Sequence, residues 1–160
     1  MLPTWTIKQA AHLQPHQQAL LAQIANIERL HFEDAWQLPA IKAVLAQFGA
    51  GLLLALDDKD KVLGYCVYQI VFEMAEILRI AVDFECQGQG IAKALIGAFV
   101  RLCQDTPAQK ILLEVRADNA PALALYHSVG FEQLDRRKHY YHTKSGKMDA
   151  LIMQKWLSVN

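Results

Sequence analysis

Apolar residues recur along this chain with two different periods, and the changes of period mark its elements. Residues 4–8, TWTIK, alternate as a half-buried strand does. Over residues 15–30, Leu20, Ile24 and Ile27, with Ala19 and Leu21 beside them, recur at helical spacing until HFEDAWQLP breaks the pattern. A second, shorter helix is expected over 39–48, with Pro39 in its first turn and Gly49 and Gly51 beyond its end. The period then becomes that of strands. GLLLALD at 51–57 and VLGYCVYQIVF at 62–72, joined by the turn DDKDK, read as an antiparallel hairpin, and EILRIAVD at 76–83 completes the set.

From there helix and strand alternate. Ile91, Ala94, Leu95, Ala98, Phe99 and Leu102 trace a helical stripe that begins at about Gly90. KILLEVRA at 110–117 is nearly continuous in apolar character, which suits a strand covered on both faces. The next helix is punctuated by Asp118 or Asn119 as cap, Pro121 in the first turn and Gly130 as left-handed terminator. Two closing strands, 131–141 and 148–156, flank the polar loop HTKSGK. Strands 76–83 and 110–117 are joined through a helix and should lie parallel, whereas hairpin partners are antiparallel. The expected fold is α/β: a central mixed, mostly antiparallel sheet flanked by helices on both faces, in one domain over 1–160.

Hydrophobic residues make up 53% of the chain and charged residues 20%, the balance of a sequence that folds. Sixteen basic and sixteen acidic residues cancel, so the overall field draws in neither nucleic acid nor a membrane surface. No stretch approaches the ~18 apolar residues that a bilayer span needs, and the N-terminus lacks a charged segment followed by an apolar run. The cytoplasm is the expected compartment. Cys66, Cys86 and Cys103 form no CxxC pair and suit neither a disulfide framework nor a zinc site. His139 and His142 would point to opposite faces of an extended chain, and His12 and His16 share a helix face only if that helix begins before Pro15, so no metal is expected.

The candidate chemistry starts at ECQGQGIAKAL. Gly88 and Gly90 sit between a strand and a helix, where they free the backbone to curl and let several N–H groups point at one anion. A tight turn that binds nothing would use the same glycines. A dinucleotide fingerprint fails because Lys93 stands at its third glycine. A Walker loop fails because Tyr141 precedes Gly146-Lys147 where glycine is required and Met148 follows it.

Gln87-Gly88-Gln89-Gly90-Ile91-Ala92 fits Q/R-x-x-G-x-G/A, and here the sequence resembles the GNAT superfamily of N-acetyltransferases. Within it the ribosomal-protein-alanine N-acetyltransferases are most similar, through IAVD at 80–83, LEVRADN at 113–119, ALYHSVGF at 124–131, RRKHYY at 136–141 and DALIM at 149–153. The resemblance covers about residues 51–155 and implies a GNAT-like fold with a splayed parallel strand pair. It implies direct acetyl transfer from acetyl-CoA to a protein N-terminal α-amino group, with the alanine of a small-subunit ribosomal protein as acceptor. The alternatives are a relative acetylating a small-molecule amine and a non-catalytic acyl-CoA-binding module. Oligomeric state and order of binding are not assigned.

The resemblance also implies roles. Gln87, Gly88, Gln89, Gly90, Ile91 and Ala92 would bind the pyrophosphate, the backbone of Ile80, Ala81 and Val82 would pair with the pantetheine arm, and Asn119 would contact the cofactor. Glu114 lies on the face of its strand opposite Ile111, Leu113 and Val115, where a carboxylate must be hydrated, paired or used. Residue pattern alone leaves a structural Glu114–Arg116 pair open; the resemblance makes Glu114 the general base. Tyr126 reads as a core aromatic by pattern and as the general acid for the departing thiolate by resemblance. Cys86 is not required as a nucleophile, because no covalent intermediate is needed. Arg79 departs from the asparagine frequent in these relatives, Tyr140 and Tyr141 match a tyrosine pair, and Glu33, Asp34, Glu73 and Glu76 read as solvated side chains.

Overall fold

The computed structural model describes residues 4–10 and 17–158. In chain order the elements are β1 (Trp5–Ala10), α1 (Gln18–His31), α2 (Leu38–Leu45), β2 (Ala50–Asp57), β3 (Val62–Val71), β4 (Met74–Val82), α3 (Ile91–Cys103), β5 (Lys110–Arg116), α4 (Ala120–Ser128), β6 (Glu132–Thr143) and β7 (Gly146–Trp156). This is the expected order. β1 runs past its expected end to Ala10 because it pairs with β2 along its whole length. α2 stops at Leu45, short of the expected residue 48, because the chain there turns back toward β2, closed by a bond from the Ala50 N–H to the Gln47 carbonyl at 3.1 Å. His12, Pro15 and His16 lie outside the described residues.

The strands form one sheet in the order β1-β2-β3-β4-β5-β7-β6. Alternation along β2 shows how it is covered: Leu52, Leu54 and Leu56 join one core cluster, Leu53 and Ala55 the other. The first cluster takes Leu21, Ile24 and Ile27 from α1 and Ile41 from α2. The second takes Ile91, Leu95 and Phe99 from α3 and Tyr126 from α4. Each large aliphatic side chain so enclosed contributes about 1.5–3 kcal/mol.

Every neighbouring strand pair is antiparallel except β4 and β5. Those two are bonded only from Met74↔Lys110 to Ile77↔Leu113. Beyond that point β4 is held by β3 alone and β5 by β7 alone, so the pair splays. The cause lies in β4. Val67 faces Arg79 and Tyr68 faces Ile77, which leaves Leu78 as an extra, bulged residue that bends the strand and changes its facing. Before the bulge Ile77 packs toward α3; after it Ile80 and Val82 do, while Leu78 and Ala81 turn to the α1 side.

Candidate active site

The gap between β4 and β5 has Ile80, Ala81 and Val82 along one side and Glu114 on the other. Along 78–82 the β4 main chain has a partner on one edge only, so its other edge offers amide and carbonyl groups at strand spacing. Ile80, Ala81 and Val82 lie on that edge. The chain then passes through a single 3-10 turn at Phe84–Cys86, where the Asp83 carboxylate accepts the Glu85 N–H at 3.1 Å.

Gly88 and Gly90 both take φ near +80°, and a Cβ at either would meet nothing within 4 Å. Backbone conformation, and not crowding, therefore demands glycine, and the space over the turn is open. Gly90 caps α3, whose first intrahelical bond runs from the Ala94 N–H to the Gly90 carbonyl at 3.0 Å. The N–H groups of Ile91, Ala92 and Lys93 precede that bond, and no acidic side chain stands in the first turn. Spare donors at the positive end of a helix suit a diphosphate. Gln87 ties the turn to β4, its amide donating to the Val82 carbonyl at 3.4 Å.

Glu114 is the first residue of β5 past the last parallel pair. Its side chain is 28% exposed and forms an ion pair with Arg137 Nη1 on β6 at 3.1 Å. The Glu114–Arg116 pair that the residue pattern allowed does not form. Arg116 instead forks onto Asp118 at 3.0 and 2.9 Å and lies 3.9 Å from Glu33. With Asp118 so engaged, Asn119 is the cap of α4, its side-chain oxygen accepting the Ala122 N–H at 3.2 Å. That places Asn119 exposed at the mouth of the gap's β5 side.

Tyr126, on α4, is buried with its ring edge-on to Phe131 at 5.7 Å. Burial, with Cys66 and Tyr141 adding to it, pushes its hydroxyl far above the ordinary phenol range, so the group stays protonated. Burial likewise pushes up the thiols of Cys66, Cys86 and Cys103, which makes none of them a ready nucleophile. Among the described residues no three His, Cys, Asp or Glu side chains group as metal ligands.

The sequence reading missed Glu28. This residue of α1 is wholly buried and accepts from the Tyr65 hydroxyl at 2.7 Å, Arg79 Nε at 3.1 Å and the Trp36 N–H at 3.0 Å. The Arg79 guanidinium lies 4.1 Å from the Phe32 ring centre and 4.6 Å from that of Trp36, and donates to the Asp34 carbonyl at 2.9 Å. Arg79 does face away from Ile80, as its strand position required. Asp34 and Glu33, read as solvated, are exposed, with Arg79 at 3.3 Å from Asp34 and Arg116 at 3.9 Å from Glu33. The signal for Glu28 was in the sequence: it follows Ile24 by four residues on the apolar stripe of α1, where a charge needs a buried partner.

These contacts fix the α1–α2 loop on one side of the gap. On the other side β6 is bulged between Arg137 and Tyr141, with His139 at φ 56°. Tyr141 there comes within electrostatic reach of Glu114, Asp34 and Arg79.

The profile of the acetyltransferase (GNAT) family matches residues 21–131. A Bacillus subtilis protein named provisionally as a [ribosomal protein bS18]-alanine N-acetyltransferase is 34% identical, over 86% of this chain and 88% of its own. The Escherichia coli K12 protein of that name is 38% identical over 61% of this chain and 66% of its own. The crystal structure of the ribosomal-protein-S18-alanine N-acetyltransferase from Escherichia coli superposes with a TM-score of 0.85 at 28% identity, covering 98% of this chain and 96% of that one. A sheet opened beside a turn with spare N–H donors suits an enzyme that draws its acyl group from a coenzyme A thioester, and the chain belongs to the acetyltransferase (GNAT) family. It is an N-acetyltransferase with acetyl-CoA as cosubstrate.

Proposed function

We propose that this enzyme acetylates the N-terminal alanine of the small-subunit ribosomal protein bS18. The similarity to relatives that carry this activity in their names supports the acceptor. The carrying observation for the chemistry is Glu114, a carboxylate at the point where the parallel strands part. In this reading the diphosphate lies on the N–H groups of Gln87 to Ala92, and the pantetheine arm adds to the free edge at Ile80, Ala81 and Val82. Asn119 contacts the cosubstrate at the mouth.

The proton of the acceptor ammonium passes to Glu114, directly or through water, because an amine attacks a thioester only with a free lone pair. The nitrogen then bonds the acetyl carbon, the carbon–sulfur bond breaks with its electron pair going to sulfur, and Tyr126 protonates the thiolate. The second proton that the nitrogen sheds as the amide forms is matched, through water, by reprotonation of Tyr126. A phenol kept neutral by burial retains the proton that this step needs. Holding the thioester beside the amine supplies much of the acceleration. One sheet shared by both cores supports reading residues 1–160 as a single catalytic domain. No helix among the described residues is long and apolar enough to cross a membrane; the proposed ribosomal acceptor supports reading the reaction as cytoplasmic.

The test is mass spectrometry of the bS18 N-terminus from cells with and without this gene, with an in vitro assay of coenzyme A release. Acetylation of an alanine-initiated bS18 peptide, well above that of a panel of small amines, is the expected result. Preference for a small amine would replace the acceptor and leave the acetyltransferase.

A further inference from the structure

Glu114 and Arg137 meet across an intervening strand. β7 separates β5 from β6, Glu114 stands opposite its Ile152 and Arg137 opposite its Ala150, and Arg137 Nη1 reaches over to Glu114 at 3.1 Å. A cation therefore already sits on the carboxylate that the acceptor's ammonium must approach.

A second carboxylate shares this neighbourhood. Glu76 on β4 is aligned with Leu112 on β5, two residues before Glu114, so both glutamates project from the same face of the parallel pair. Glu76 helps line an open recess of about 180 Å³ with Gln69, Met74 and Leu112. Partial desolvation there, and after it the charge of Glu114, raise the Glu76 carboxyl, while Arg137 pulls it down. Arg137 is thus within electrostatic reach of both carboxylates and ion-paired with one. Its side chain is half exposed and stacks 5.3 Å from the Tyr140 ring centre, so it can swing without breaking a buried contact. Tyr141 on β6 also comes within electrostatic reach of Glu114, and Arg116, on the same strand, is already occupied by Asp118 and Glu33.

We infer that Arg137 is a resident stand-in for the acceptor's ammonium, and that Glu76 is the berth to which it moves when the acceptor arrives. In the free enzyme Arg137 holds Glu114; the incoming ammonium takes its place, and Glu76 receives the displaced guanidinium. Binding balances the charge: two carboxylates face one cation before it and two cations after it. Without Glu76, the displaced guanidinium would compete with the acceptor for the same carboxylate. Arg137 and Glu76 are positioning residues in this account. It rests on Glu114 being the group that meets the acceptor amine.

The experiment is a double-mutant cycle on steady-state kinetics of the full chain, with an alanine-initiated peptide as acceptor. Glu76→Gln should raise the acceptor KM about fivefold, the scale of one exposed ion pair, with kcat and the acetyl-CoA KM nearly unchanged. In an Arg137→Ala background, Glu76→Gln should leave the acceptor KM unchanged, because no guanidinium needs a berth. Arg137→Lys should restore the dependence on Glu76. An unchanged KM in the single Glu76→Gln variant, or an equal rise in the Arg137→Ala background, overturns the exchange; the latter would make Glu76 a direct acceptor contact. All variants are compared by thermal melting. Failure of the proton-transfer reading is read separately, from turnover of Glu114→Gln with Arg137 and Glu76 intact.

Discussion

The carboxylate of Glu28 and the guanidinium of Arg79 join α1 to β4 at 3.1 Å, with the Glu28 side chain wholly out of solvent. One carboxylate there satisfies a guanidinium, a phenol and a backbone N–H, and through them it anchors the loop that walls the gap. Removing it strands three donors at once. Glu28→Ala should lower unfolding free energy by about 3–5 kcal/mol, the range for breaking a buried pair by deleting one partner. Equilibrium urea unfolding measures this. Replacing both partners by leucine should be milder than Glu28→Ala alone, because no uncompensated charge is left behind.

Gly90 offers a second, separable test. Its φ of +80° lies in the left-handed region while the space a side chain would enter is empty. Substitution should therefore cost backbone strain and no packing. Gly90→Asn, whose side chain tolerates that region, should be tolerated better than Gly90→Val, which should lose about 1–2 kcal/mol or more. Calorimetric titration with coenzyme A should rank the two variants in the same order. A valine variant binding as tightly as the native chain would remove the turn from the site.

Much of this arrangement was legible in the sequence, where the signal was local. The Gly88–Gly90 turn, the proline and glycine that punctuate α4, and the side of β5 on which Glu114 projects all follow from residues a few positions apart. The parallel pair follows from connectivity, since a single helix crossing over between neighbouring strands brings the chain back in the same direction. What escaped are pairings set by register between distant strands. Arg137 reaches Glu114 across β7, which lies between β5 and β6 although it follows both in the chain. Local neighbours, Arg116 and Glu114, suggested a pair that Asp118 forestalls. The bulge at Leu78 gave no compositional sign, because a single inserted residue in an apolar strand leaves the apolar run intact.

Glu114→Gln and Tyr126→Phe should each lower kcat by about 10²–10⁴, the usual span for loss of a positioned acid or base. Acetyl-CoA affinity should persist, since the proposed diphosphate site lies elsewhere. Tyr126→Phe should also leave stability within about 1 kcal/mol, because among the described residues no hydrogen bond occupies its hydroxyl and the ring contact with Phe131 is kept. Stopped-flow or end-point release of coenzyme A gives kcat, and thermal unfolding gives the control. Full turnover in either variant removes that residue from the chemistry.

Stability should fall with acidity in two separate windows. His31, at the end of α1, stacks on Phe84 with ring centroids 4.0 Å apart, and its buried Nε2 has no hydrogen-bond partner. Burial lowers its pKa from 6.5 despite the opposing charges of Asp83 and Glu28. The folded chain therefore resists a proton that the unfolded chain accepts. The contribution of neutral His31 is complete above pH 6.5 and is lost as pH falls through that value. The carboxyls of Asp57, Asp118 and Asp149 behave differently. Backbone N–H groups at Lys61 and Lys59 hold Asp57 below 3.8, the Arg116 fork does so for Asp118, and the His139 N–H with Arg136 does so for Asp149. Their contributions last until pH drops below that value. His31→Phe keeps the stack on Phe84 and removes the titration, so the variant should lose less stability than the native chain between about pH 7 and pH 5 and match its decline in stronger acid. Denaturant unfolding of both proteins across this range measures the difference. Parallel curves through pH 6.5 would show that His31 titrates alike in the folded and unfolded chains.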